Sequence, residues 1–170
     1  EKKLFLELRI IADIGLIGLP NAGKSSLLSV LTNATPKIGN YPFTTLEPNI
    51  GIMNKYAIAD IPGLIEGASK GKGLGVEFLK HIEKTKVLVH CIDSSDENVG
   101  KTYETVRNEF KQYNILLLKK PEIILLTKTD LTNEAQIKEN IKILKKQGKQ
   151  ILTCSIYKSE TLATLKQALE

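Results

Sequence analysis

Eight residues constrain this chain more than any others: Gly18-Leu-Pro-Asn-Ala-Gly-Lys-Ser25, set between the apolar run Ile14-Gly-Leu-Ile17 and the helix-prone Ser26-Leu-Leu-Ser-Val-Leu31. The order strand, GxxxxGK[ST] loop, helix is the pattern that wraps a nucleotide's phosphates. Its glycines let the backbone turn tightly and aim N–H groups inward, with the positive end of a helix behind them. Pro20, Asn21, Ala22, Gly23, Lys24, Ser25 and Ser26 are the candidate phosphate contacts. Lys24 supplies a point charge for the β and γ phosphates, and the Ser25 hydroxyl is a candidate ligand for the Mg²⁺ that bridges them. With glycine at about 7% of residues, the four fixed positions arise by accident in a chain this long on the order of half a per cent of the time. The loop is therefore taken as the reference point for the rest.

The 170 residues suit one domain with an adequate core. No apolar run approaches the length of a membrane span and no signal peptide is evident, so a cytoplasmic monomer is expected. The net charge of +5 rests almost wholly on lysine, since Arg9 and Arg107 are the two arginines. That balance reads as a solvated surface before it reads as a nucleic-acid face. Cys91 and Cys154 lack metal-type spacing and fall on strands separated by another strand, which puts their Cα atoms about 9 to 10 Å apart. A disulfide needs less than about 7 Å, so free thiols in a reducing compartment are expected.

Along the chain, residues 4 to 18 alternate and then become continuously apolar, as in a strand entering a buried sheet centre. Ala34 to Thr45 is rich in turn formers and reads as a long functional loop. Asn49 to Met53 and Tyr56 to Ile61 read as an antiparallel hairpin. Five glycines between Gly63 and Gly75 mark a second mobile element. A helix over 76–85 and a strand over 87–92 follow. Val99, Tyr103, Val106, Phe110 and Tyr113 mark one face of a long helix. Then come a buried strand at 122–126, a helix carrying Ile137, Ile141 and Leu144 and stopped by Gly148, a last strand at 150–154, and a helix carrying Leu162, Leu165 and Leu169 with Ser159 as its N-cap. Six strands alternating with helices predict an α/β fold: a mostly parallel sheet with one antiparallel edge strand and helices on both faces. Ligands in such sheets bind beyond the strands' carboxyl ends, where the phosphate loop, Asp60, Thr127 onward and Cys154 onward all fall.

Asp60 closes a strand in Asp-Ile-Pro-Gly63, where its carboxylate could hold Mg²⁺ through a water; without the phosphate loop it would read as an ordinary turn aspartate. The Gly63 N–H could approach a γ-phosphate and turn away once that group leaves. Thr44 and Thr45 lie in the long loop, where a hydroxyl either completes the Mg²⁺ shell or caps a local turn. Asp130, in Thr127-Lys-Thr-Asp130, can accept from the ring N–H and the exocyclic amine of guanine, while the Lys128 stem lies over the base. Adenine would leave that carboxylate unpaired, and sites of this kind discriminate by about 10⁴ or more.

Gly18 to Ser25, Asp60 to Gly63 and Thr127 to Asp130 together resemble the guanine-nucleotide motifs of translation-factor-type GTPases. The blocks Gly39 to Gly51 and Ile61 to Gly75 resemble the Obg family across essentially the whole chain. The resemblance implies a Ras-like P-loop fold, Mg²⁺-dependent GTP and GDP binding, slow GTP hydrolysis, and a switch role at the large ribosomal subunit and its RNA in assembly and stress response. It makes Thr45 the Mg²⁺-binding switch threonine and places Ser155 and Ile156 in the last base-contacting motif. It also makes residues 1–10 the connection to an N-terminal domain absent from this sequence, which begins without methionine.

Three departures bear on mechanism. Thr127 stands where asparagine is usual, which is expected to loosen loop packing while keeping Asp130. Ile156 stands where alanine is usual. Leu64 stands where Ras-like enzymes carry the glutamine that orients water. Neither arginine lies in a mobile loop, and Lys70 and Lys72 read as solvated. Asn21 resembles the asparagine that ligates K⁺ in potassium-activated relatives, a candidate source of the missing charge. His81 and His90 have no ligand spacing. The lysines at 138, 142, 145, 146 and 149 read as a solvated helix face, with a contact to ribosomal RNA as the sharper alternative. Two other classes compete with a GTPase switch: a nucleotide-dependent RNA or ribosome-binding module in which hydrolysis is negligible, and a P-loop kinase or ATPase, disfavoured because Asp130 has a guanine-reading position and a kinase would need more arginines.

Overall fold

The computed structural model describes residues 12–32, 37–38, 49–61, 79 and 82–170. Its strands are β1 (Ala12–Ile17), β2 (Lys37–Ile38), β3 (Asn49–Met53), β4 (Tyr56–Asp60), β5 (Thr85–Asp93), β6 (Glu122–Thr127) and β7 (Gln150–Thr153). They form one sheet in the order β2-β3-β4-β1-β5-β6-β7. The five strands from β4 to β7 in that order run parallel, while β3 pairs antiparallel with β4 and with β2. The α/β class and the six longer strands are those expected, except that residues 4–11 of the stretch read as the first strand lie outside the described residues. The seventh, β2, is two residues inside a stretch read as loop; it is too short to show a period and exists through its pairing of Lys37 with Ile50 and Ile38 with Asn49.

Four helices are described: α1 (Lys24–Thr32), α2 (Val99–Tyr113), α3 (Glu134–Lys145) and α4 (Ser159–Leu169), with a 3-10 turn at Ile115–Lys119 before β6. Leu79, Ile82 and Glu83 are helical, within the helix expected at 76–85. Thr85, assigned to that helix from sequence, instead opens β5 and pairs with Ala12. Ser159 is not the N-cap of the last helix: Lys158 is, without a side-chain cap bond. The nearby carbonyls go to Thr161, whose hydroxyl donates toward Lys158 O (2.8 Å) and Ser155 O (3.1 Å).

Alternate residues along each parallel strand feed opposite layers, which is why the strands read as continuous apolar runs. Ile14, Leu16, Val89, Cys91 and Leu125 pack with Leu27, Leu28, Leu31, Leu165 and Leu169 of α1 and α4. Ile17, Leu88 and Ala59 pack with Val106 and Phe110 of α2. Ile92, Ile124 and Leu126 pack with Val99, Tyr103 and Leu144. Cys91 and Cys154 are free and buried, with β6 between their strands. Burial pushes the Cys91 thiol up to about 12. His90 is buried in β5, its Nδ1 3.0 Å from Glu122, which also accepts from Arg107 (2.8 Å). Among the described residues no helix is long and apolar enough to cross a membrane.

Candidate functional site

β1 runs directly into the phosphate loop. Gly18 lies at φ +142°, and a Cβ there would sit 2.3 Å from the Cys91 carbonyl oxygen, so no other residue fits. Asn21 (φ +64°) and Gly23 (φ +85°) continue the left-handed course that turns the backbone amides inward. Lys24 opens α1, is 7% exposed, and donates to the carbonyls of Gly18 (3.1 Å) and Leu19 (3.0 Å). Burial lowers its pKa, partly opposed by the charge of Asp60. The ammonium is thus held at the mouth of the loop, ready to exchange carbonyls for phosphate oxygens. Pro20, Asn21 and Ser26 are exposed and Ala22 is buried.

Asp60 ends β4 beside Leu16 of β1, which brings it to the start of α1. The Ser25 hydroxyl donates to its Oδ2 at 2.5 Å. Its Oδ1 is buried with no hydrogen-bond partner among the described residues. A buried carboxylate oxygen without a partner costs free energy, and here it adjoins a hydroxyl and a helix N-terminus. That donor set, all oxygen, fits a hard divalent cation.

The candidate base side is a cavity of about 310 Å³ lined by Gly23, Ser26 and Leu27, by Thr127, Lys128 and Asp130, and by Cys154 and Ile156. Leu131 and Tyr157, 67% and 81% exposed, complete its lining. Thr127 does not leave the loops loose as expected. Its hydroxyl is directed at the carbonyls of Ala22 (2.8 Å) and Ile92 (3.2 Å), so it ties the base loop to the phosphate loop, with one proton shared between two acceptors. Lys128 sits at φ +55° and its Nζ pairs with Asp93 Oδ2 at 2.7 Å. Burial pushes the Asp93 carboxyl up, but bonds from Lys128 and Ser95 outweigh it and the pKa is lowered. Ser155, 1% exposed, donates to Asp130 Oδ1 at 2.6 Å and accepts from the Tyr157 N–H at 3.2 Å.

The structure therefore brings together Lys24, Ser25 and Asp60 at one corner and Thr127, Lys128, Asp130, Ser155 and Ile156 at the next. Thr44, Thr45, Gly63, Leu64, Lys70, Lys72 and His81 lie outside the described residues. Asp93, Leu131 and Tyr157 were not anticipated; the signal for Asp93 was the turn-forming Asp-Ser-Ser-Asp96 directly after a parallel strand.

A loop of phosphate-cradling pattern after β1 and an aspartate-bearing loop after β6, with β5 between the two strands, are the marks of a P-loop GTPase domain. Residues 13–128 match the family described as 50S ribosome-binding GTPase. The GTPase Obg of Pelagibacter ubique is 49% identical over 174 residues, covering 99% of this chain and 53% of its own length. That of Brachyspira hyodysenteriae is 54% identical over 150 residues, covering 85% of this chain and 22% of its own. The chain belongs to the 50S ribosome-binding GTPase family as a G domain of Obg type, spanning about half or less of those two relatives. In fold it is similar to a mutant S. thermophilus NFeoB bound to GDP, with TM-score 0.70 and 22% identity over 91% of this chain and 59% of that one.

Proposed function

We propose that this domain binds GTP and GDP with Mg²⁺ and hydrolyses GTP slowly, as a switch for large ribosomal subunit assembly and stress response in the cytoplasm. The supporting observation is that one cavity of about 310 Å³ joins the phosphate loop at Gly23 to the carboxylate of Asp130. Backbone amides of residues 21–26 and the Lys24 ammonium receive the phosphates, Pro20 having no N–H to offer. Asp130 accepts from the guanine edge and Ile156 lies against the ring, with Ser155 and Lys128 fixing the loop. Ser25 and Asp60, with Thr45, would hold Mg²⁺, which when bound neutralises charge on the β and γ phosphates. Asn21 is the candidate K⁺ ligand. The Gly63 N–H would sense the γ-phosphate.

Slow turnover follows from chemistry: Leu64 cannot orient water, and Arg107 is committed to Glu122 at 2.8 Å. An arginine finger is worth roughly 10³ to 10⁵ in rate, which sets the acceleration a partner or K⁺ would have to supply. The same deficit favours a second reading, a ribosome-binding module that releases GTP before hydrolysing it. Single-turnover phosphate release slower than GTP dissociation would select that reading. Calorimetry with GTP, GDP and ATP in Mg²⁺ tests the base assignment: both guanine nucleotides should bind far more tightly than ATP, and equal affinities would refute it.

A further inference from the structure

The structure assigns to Ser94 and Asn140 a positioning role: they pin the left-handed turn that carries Asp130 and so set how well guanine is told from hypoxanthine. This rests on the guanine reading above. Ser94 is fully buried just after β5. Its N–H donates to Thr127 O (2.9 Å) and its hydroxyl to Lys128 O (3.1 Å). That hydroxyl also lies 2.7 Å from Thr132 Oγ1, which can serve as its donor. Lys128 O additionally accepts from the Leu131 N–H at 2.9 Å, closing the turn over residues 128–131. A lysine at φ +55° is strained relative to glycine, so the turn persists only because its carbonyl and its ammonium are both held.

Asn140 anchors Ser94 from behind. It sits inside α3, where asparagine is a poor helix former because its amide competes for backbone bonds. Yet it is 1% exposed, beside apolar Leu144. Its amide is satisfied at both ends: Nδ2 donates to Ser94 O at 2.9 Å, and Oδ1 accepts from Gln136 Nε2 at 3.0 Å. A chain of bonds thus runs from α3 through Ser94 to Lys128, two residues before Asp130. A hydrophobic residue would pack this position without any such demand, so the amide's use lies in where it points.

Guanine offers Asp130 two donors and hypoxanthine one, so the ratio of GDP to IDP affinity reads the placement of that carboxylate. Affinities of the whole chain for both nucleotides in Mg²⁺ would be compared across wild type, Ser94→Ala and Asn140→Leu, with urea melts to establish folding. Each variant should lose GDP affinity by about tenfold and IDP affinity by less, lowering the ratio at least about threefold. Ser94→Thr, which keeps the hydroxyl, should restore the ratio. Folded variants with lower stability but an unchanged ratio would overturn the positioning role. A wild type that binds GDP and IDP alike would instead refute the guanine reading beneath it. If Ser94→Ala fails to fold, Asn140→Leu and Thr132→Val decide the matter on the same ratio.

Discussion

The two halves of the site are built by opposite means. The phosphate half is local except at its metal corner: residues 18–25 supply the turn and the amides, Lys24 bonds to carbonyls only five and six positions away, and Asp60 alone comes from afar, 35 positions from Ser25. The base half is assembled from distant segments: Thr127 reaches Ala22 across 105 positions, Ser155 reaches Asp130 across 25, and Asn140 reaches Ser94 across 46. Backbone amides fixed by a short loop suit a ligand group common to all nucleotides. Selection of one base needs a carboxylate held on several sides, which only tertiary structure can provide.

The contrast gives predictions that separate the halves. The largest effect is expected for Lys24→Ala, which should weaken GTP by about 100-fold or more while leaving the preference for guanine over adenine nucleotides intact. Calorimetry with GTP, GDP and ATP measures both. Ser25→Ala comes next: it removes one candidate ligand from beside the unpaired Asp60 oxygen. GTP affinity in Mg²⁺ should fall by about tenfold and differ little from affinity in EDTA. Thr127→Val, close in shape, leaves the Ala22 and Ile92 carbonyls without their donor. It should cost about 1–3 kcal/mol in urea unfolding and weaken GTP and GDP alike.

The smallest effect on nucleotide binding is expected for Glu122→Gln, outside both halves. Burial raises the Glu122 pKa, but bonding to His90 and the charge of Arg107 outweigh it, so the folded value lies below the ordinary 4.5. A depressed carboxylate stabilises the fold above its unfolded pKa and ceases to do so as pH falls through the folded one. The variant should be less stable at pH 7 by about 3 kcal/mol, and the gap to wild type should close below pH 4.5. A gap that widens on acidification would contradict the assignment.

What was legible in the sequence follows the same division. Gly18 to Ser25 could be read because the geometry is carried by consecutive residues, and the parallel strands because they are apolar throughout. Asp130 could be read from its place after a strand. Its supports could not. Asn140 looks like one more polar residue on an amphipathic helix, Ser94 like one more turn former, and Thr127 like a weakened motif until its hydroxyl is seen reaching the phosphate loop. β2 escapes because two residues have no period, and Ser159 reads as a cap by residue type although Lys158 holds that position without a side-chain cap bond.

The most direct test exchanges the base edge that Asp130 is proposed to read. Xanthine presents an oxygen where guanine presents its exocyclic amine, so Asp130→Asn should bind XDP more tightly than GDP while wild type does the reverse. If wild type and variant rank the two nucleotides in the same order, Asp130 does not select the base.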